Sequence, residues 1–453
     1  MSNETDNADL YYLDSIFSTD WVPSESAHFQ RVKIGLGADG VFDGDVSETN
    51  PMPIRLGDSS YDAFSRLRTA GTGRRLDTEF IYDLQPDFYD VITNGPSASV
   101  SHNGNTRDVT LAGGTTASGH FATLRSHPVP STPGNSQLID ITGTLDNASV
   151  GGGTAQVFLR SKISGAVTEQ VIDQSSWLSN TTGIDWSTSQ ILSMDFQSLK
   201  VGTIRFWLVK NGAPVQIAQI NNDNLRASGY WQIPSLPVYW RVYNDATYTY
   251  MEMGYGDEDN AIGIRYRVSV NASATVRAIC ATVKSEGGPE LEDIPGVERC
   301  IDTGVTPKTI STTLVPILSI RARDTFKTFN NLAIVEPSSF EFQTSESVKL
   351  AVIVDGTLTG ASWSDVDTNN SVVEFDTSAT VLTGGKTVLA GYRYATTSGA
   401  ASGRVSADEG AVLGKTVLWN RQGSETGILT LAAVRTGASD ASVLAGLQWR
   451  EIK

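Results

Sequence analysis

The sequence predicts an all-β protein: two antiparallel β-sandwiches of jelly-roll type, preceded by an extended N-terminal arm. Three observations point there. Glycines number 42, Ser, Thr, Asn and Val are abundant, and charged residues make up only 19%, below the share of about 25% usual in soluble domains. From about residue 96, short runs of β-branched and aromatic residues alternate with clusters of Gly, Asn and Asp. Helical periodicity is confined to one N-terminal stretch. At 453 residues the chain has material for two or three cores.

Residues 1–60 hold many acids, several prolines and little strand alternation, and read as the arm. Within them LYYLDSIFSTDW (Leu10 to Trp21) places Leu10, Leu13 and Phe17 at helical spacing, with Tyr11, Tyr12 and Ile16 beside them. This spacing predicts a short helix. It either packs on its own domain or docks on a neighbouring subunit through Tyr11, Tyr12, Phe17 and Trp21. Residues 61–95 form a connector in which Arg66, Arg68, Arg74 and Arg75 stand among Asp62, Asp77, Glu79, Asp83 and Asp87. Such a cluster brings its own counter-charges, and predicts salt bridges within or between subunits rather than phosphate binding.

Residues 96–290 carry the first sandwich. Its clearest local signal is TIRFWLVKNGAPVQIAQI, where Asn211-Gly212 lies between two apolar runs. That pair favours a type I′ hairpin because both positions need φ > 0. In AIGIRYRVSV, Ile262, Ile264, Tyr266, Val268 and Val270 alternate with Gly263, Arg265, Arg267 and Ser269, which predicts a half-buried antiparallel strand. GGPELEDIPG (Gly287 to Gly296) breaks the pattern, and a linker is expected over residues 291–313. The second sandwich, 314–453, repeats the signature in VKLAVIVDGTLTG with its Asp355-Gly356 turn, in SVVEFDT, in GILTLAAV and in LAGLQWREI. No strict repeat of a solenoid or propeller is present.

A net charge of −16 and a pI near 4.7 repel a phosphate backbone, so no nucleic-acid partner is expected. The opening MSNETDNADL has no basic n-region, and no apolar run approaches the roughly 20 residues of a membrane span. No membrane insertion is expected, and residence in a cytoplasm is. Two cysteines, Cys280 and Cys300, do not make a disulfide framework and read as buried free thiols. His28, His102, His120 and His127 show no metal spacing, so neither a metal nor a cofactor is expected.

Chemistry-bearing motifs are sparse. TGGKT (Thr383 to Thr387) and LGKT (Leu413 to Thr416) imitate a phosphate loop, but Thr380 and Glu409 stand where its first Gly belongs, and both read as turns. SDVDTNNS sets Asp365, Asp367 and Asn369 at alternate positions as a calcium loop does, yet has Asn370 for the central Gly and Asp376 for the closing Glu. GADGVFDGD (Gly37 to Asp45) is a weaker version of the same pattern. No Gly-x-Ser-x-Gly elbow occurs, and nothing singles out a carboxylate pair for glycoside hydrolysis. No catalytic residue is assigned, and the expectation is a protein that is not an enzyme.

DAFSRLR (Asp62 to Arg68), followed by IYDLQPDFYD, resembles the start of a family of tailed-bacteriophage virion proteins in which the stretch commonly reads DAFGRLR. The resemblance continues in PGNSQLIDITGTL, RSKISGAVTEQVIDQSSW, MDFQSLKVGTIRFWLVKNG, IPSLPVYWRVYN, CATVKSEGG and the closing LQWREI. It spans about Tyr61 to the C-terminus; Ser65 stands where that family has Gly. It implies a particle component at the tail, neck or head surface, assembled in a bacterial cytoplasm, and carries over no catalytic residues.

Two functions follow as expectations. The first is a virion building block working through contacts with copies of itself and with other phage structural proteins, by way of Tyr11, Tyr12, Phe17, Trp21, Arg66, Arg68, Arg74 and Arg75. The alternative is a receptor-recognition protein or tailspike-like depolymerase that binds host surface glycan. The strands around Asn211-Gly212 look like the sheet edge of lectin-like jelly rolls, and Trp186, Trp231, Tyr239 and Trp240 either stack on sugars or fill the sandwich core.

Overall fold

The alternating apolar pattern becomes strand almost throughout, and no α-helix occurs among the described residues. The computed structural model describes residues 73–131, 134–145, 152–163, 165–179, 181, 183–197, 199–231, 235–270, 273–286, 296–331, 333–394, 401–405, 418 and 427–452, with the backbone of five strands before residue 46. Met1–Tyr61 and Asp62–Lys453 are separate units.

In the first unit β1 (Asn7–Tyr12), β2 (Ser15–Val22) and β3 (Ala27–Gln30) form an antiparallel sheet, and β4 (Gly35–Leu36) pairs with β5 (Gly44–Asp45). The helix expected over Leu10 to Trp21 is therefore a pair of strands, with Leu10 opposite Phe17 and Tyr11 opposite Ile16. The physical reason is composition. Aromatic and β-branched residues favour a pleated strand, and a stretch this short does not offset helix nucleation. Tyr11 and Tyr12 lie on β1, Phe17 and Trp21 on β2; Arg66 and Arg68 lie outside the described residues.

The first sandwich stacks two sheets. One runs in the order β16 (Ala213–Ile220), β15 (Ile204–Lys210), β14 (Gln190–Gln197), β11 (Ser136–Thr144), β20 (Thr275–Glu286), β9 (Asp108–Gly113), β8 (Ala98–Asn103). β6 (Gly73–Glu79) joins it by pairing with β20 beyond the end of β9. The other has seven strands, β13 (Ala166–Asp173), β12 (Thr154–Ile163), β19 (Ala261–Ser269), β18 (Tyr248–Gly256), β17 (Val238–Asn244), β10 (Phe121–Ser126), β7 (Tyr89–Asn94). Their facing sides enclose one core that includes Phe80, Ile139, Val157, Met194, Phe206, Trp240, Met253 and Ile264.

The connector expected at 61–95 thus supplies strands to this sandwich, because Phe80 and Tyr89 are core residues that touch each other and Trp240. Arg74 pairs within its own strand with Asp77 at 2.7 Å, and the charge of Arg75 reaches Glu336 of the second sandwich.

The Asn211-Gly212 hairpin forms as the sequence dictates. Lys210 pairs with Ala213, and the two turn residues have φ of 53° and 79°. Gly212→Val should destabilise the first sandwich by about 1–2 kcal/mol, the cost of a side chain in left-handed backbone; denaturant unfolding reads it.

In the second sandwich one sheet holds β21 (Val297–Asp302), β35 (Ala441–Ile452), β26 (Ile334–Thr344) and β33 (Ala401–Val405), with β22 (Lys308–Ile310) also on β35. The expected linker at 291–313 therefore contributes two strands, whose partners are the C-terminal residues of the chain. The other sheet runs β29 (Ser364–Asp365), β30 (Val373–Asp376), β23 (Val315–Ala322), β34 (Ile428–Arg435), β27 (Val348–Val354), β32 (Lys386–Arg393). β24 (Thr325–Phe326) pairs with β25 (Phe329–Asn330). β28 (Thr357–Thr359) pairs with β31 (Val381–Thr383), and Leu358 and Leu382 cover Ala351, Ile353 and Ala432.

Asp355 turns with φ 58° and sends the chain from β27 into β28. Gly356 follows it with Leu382 packed close, so that a Cβ there would lie 2.4 Å from Leu382 Cδ1 and move that side chain. Both cysteines are free, but only Cys280 is part-buried. Cys300 is exposed, contrary to expectation, because alternate residues of β21 face solvent.

Candidate functional site

The seven-stranded sheet has an inner face of core residues and an outer face of unusual composition. Strand register sets its outer side chains in rows. The first row runs Asn94, Phe121, Tyr243, Tyr250, Arg267, Thr154. The second runs Ile92, Thr123, Arg241, Glu252, Arg265, Gln156, Asp173. The third runs Asp90, Arg125, Tyr239, Gly254, Gly263, Phe158, Val171. Beyond it Gly256, Ala261, Arg160 and Glu169 align.

Two glycines build the floor. Gly254 and Gly263 lie opposite each other, and a Cβ on either would strike backbone oxygen within 2.6 Å. With no side chains between them, Tyr239 and Phe158 close over the gap and form a small apolar cluster with Ala261. Over that cluster Glu252 is fully buried. Arg160 donates from Nη2 to Glu252 at 3.0 Å and from Nε to Glu169 at 2.7 Å. Arg265 donates from Nη1 to Glu169 at 3.0 Å, lies 3.6 Å from Glu252, and reaches Gln156 from Nε at 2.8 Å. The hydroxyls of Tyr239 and Tyr243 donate to Glu252 at 3.3 and 3.2 Å.

Burial alone would raise the Glu252 carboxyl, but Arg160, Arg265 and Arg241 together hold it below its ordinary value. Burial, and then the Glu252 charge, pushes the Tyr239 and Tyr243 hydroxyls up. Glu252 is therefore a fixed carboxylate. Both glutamates of the network are bound by arginine.

Above the network lies an aromatic shelf. Phe121, Tyr243, Tyr248 and Tyr250 are half-buried. Tyr243 and Tyr250 stack at 4.7 Å with planes 13° apart, and Tyr248 meets Tyr250 edge-on at 6.0 Å. Arg241 sits over Tyr243 at 4.6 Å and over Phe121 at 5.1 Å, Arg265 over Tyr250 at 4.9 Å, and Arg267 over Tyr248 at 4.9 Å.

Of the aromatic residues singled out in the sequence, Tyr239 belongs to this face. Trp186, Trp231 and Trp240 fill the core: Trp186 against Trp177 and Tyr266, Trp231 against Phe196, Trp240 against Phe80. They present no ring to a sugar. The sequence search missed Arg160, Arg241, Tyr243, Tyr250, Glu252 and Arg265. For Arg241, Tyr243, Tyr250 and Glu252 the signal was there in VYWRVYN and YTYMEMGYG, whose non-core positions carry Tyr, Arg and Glu rather than the small polar residues of a solvated face.

The other motifs resolve into turns. Asp367 accepts the backbone N–H of Asn369 and Asn370, and Asp365 pairs with Arg323 at 3.2 Å. Gly384 and Gly385, both with positive φ, lead from β31 into β32. Leu413 to Thr416 lies outside the described residues, as does most of Gly37 to Asp45. Among the described residues no group of three or more His, Cys, Asp or Glu is placed to hold a metal ion.

No family model and no curated protein matches the chain. Solved structures similar to it include the CBM2 module of the evolved Dit of Lactobacillus casei BL23 phage J-1, at 7% identity and TM-score 0.21 over 48% of this chain and 97% of that one. An endo-1,3-β-glucanase from Streptomyces sioyaensis matches at 10% identity and TM-score 0.22 over 49% and 98%. A legume lectin-like domain from Entamoeba histolytica matches at 10% identity and TM-score 0.19 over 47% and 98%. Scores of this size leave the chemistry to be argued from the chain's own residues.

Proposed function

We propose that this chain is a non-catalytic structural component of a tailed-phage particle whose first sandwich presents a saccharide-recognition face. One observation carries the recognition reading: the half-buried shelf of Tyr243, Tyr248, Tyr250 and Phe121, flanked by arginine donors and backed by a rigid, ionised network. Sugar rings pack their C–H faces on aromatic rings and take hydrogen bonds from fixed polar groups beside them, and this face offers both. Membership of a particle is supported by the DAFSRLR, PGNSQ and LQWREI segments. Docking through Tyr11, Tyr12, Phe17 and Trp21, and through Arg66, Arg68, Arg74 and Arg75, remains part of the proposal.

On a glycan array the intact chain should bind a defined set of saccharides. Tyr250→Ala should weaken that binding about tenfold or more, as loss of an aromatic anchor does, with the unfolding midpoint little changed. Unaltered binding by Tyr250→Ala, or no binding to any glycan, would reject the face. Deleting residues 1–25 should leave folded protein that is excluded from particles; normal incorporation would remove the docking role of that segment.

A further inference from the structure

We infer that the saccharide taken by this face is anionic, carrying carboxylate, phosphate or sulfate groups. The inference rests on the reading that the face binds saccharide. Charge accounting leads to it. Arg160 and Arg265 balance Glu169 and Glu252, two cations against two anions in contact. Arg241 and Arg267 are left over, on either side of the Tyr243–Tyr250 stack in the strand register.

Neither makes a hydrogen bond or ion pair with the described residues; each lies over aromatic rings, and the Arg241 charge also acts on Glu252 without a direct bond. The Nε of Arg241 is buried without a partner. Glu252 stands beside Arg241 but gives its oxygens to Arg160, Tyr239 and Tyr243. Asp245, at the same end of the sheet, accepts the backbone N–H of Thr247 and Tyr248 and bonds the Tyr250 hydroxyl.

Scarcity of carboxylates does not explain this surplus, since acids outnumber bases 50 to 34 and the net charge is −16. In such a chain two arginines on one face with no carboxylate in direct contact among the described residues are a feature that an anion would complete. Guanidinium groups set on aromatic rings keep N–H donors for a planar carboxylate or a phosphate.

Calorimetry on the full chain with alginate, dextran sulfate, a glycerol-phosphate teichoic acid, neutral dextran and poly-L-glutamate tests this, at low and high salt. At least one anionic glycan should bind about tenfold or more tightly than dextran, and weaken as salt screens the contact. The three anionic arms tell which group is read. Arg241→Gln with Arg267→Gln should remove most of that advantage, and Arg267→Gln alone serves if the pair unfolds.

Equal binding of dextran without salt dependence, or retention of the advantage in the variants, overturns the anionic assignment and leaves saccharide recognition standing. Equal binding of poly-L-glutamate shows charge without sugar and overturns it as well. Failure to bind any glycan removes both.

Discussion

Glu252→Gln should cost the first sandwich about 3–5 kcal/mol, among the largest effects of any single change, because it leaves buried cations uncompensated. Arg160 and Arg265 have side chains only 6% exposed, and the fully buried Glu252 lies 3.0 Å from the first and 3.6 Å from the second. Removing one partner strands the other charges in a place where water does not reach them. The pair is a poor source of net stability but a strong determinant of which packing is possible. Arg160→Met combined with Glu252→Gln should therefore cost less than the two single changes summed. Denaturant titration of the four proteins measures it, and additivity would show that the contact is not coupled.

The same residue sets a pH dependence. Its folded pKa lies below its unfolded value, so its contribution is present above the ordinary Glu value of about 4.3 and is lost as pH falls through the folded value. Stability should decline on acidification below about pH 4.3, and that share of the decline should be missing in Glu252→Gln.

Trp240→Ala should destabilise by about 3–5 kcal/mol through loss of buried area and the cavity left behind. Trp240 is fully buried between the sheets, edge-on to Phe80 at 5.6 Å and tilted to Tyr89 at 6.1 Å. Gly143 yields it space, since a Cβ there would lie 2.9 Å from the indole nitrogen. That nitrogen is buried without a hydrogen-bond partner. Trp240→Phe should thus cost clearly less than Trp240→Ala, as it removes an unpaired N–H along with part of the ring. A small effect of Trp240→Ala on the unfolding midpoint would contradict the position assigned to it.

Local rules in the sequence account for the sheets better than for the site. Asn211-Gly212 can be read as a hairpin because the demand for positive φ lies within two adjacent residues. Ile262, Ile264, Tyr266 and Val268 can be read as a core stripe because strand alternation has period two. The opposite stripe misleads. Arg265 is 5% exposed where alternation predicts a solvated residue. Its compensation comes from Glu169, 96 positions away in the chain, and from Glu252 on the next strand. Nothing in a window of ten residues reveals that pairing, nor that Gly254 and Gly263 meet to seat Tyr239 and Phe158.

The arm shows the reverse failure. Leu10, Leu13 and Phe17 fit a helical spacing, yet the aromatic and β-branched residues around them pair as strands. Boundaries erred for a related reason: the Arg- and Asp-rich stretch before residue 95 looks like surface, while its Phe80 and Tyr89 are core.

Hydroxyl-radical footprinting of the full chain, with and without the glycan that binds best, tests the central claim most directly. The account predicts protection from oxidation concentrated on Phe121, Tyr243, Tyr248 and Tyr250, the half-buried aromatics of the outer face. Protection elsewhere, with those four rings oxidised as in the free protein, would contradict it.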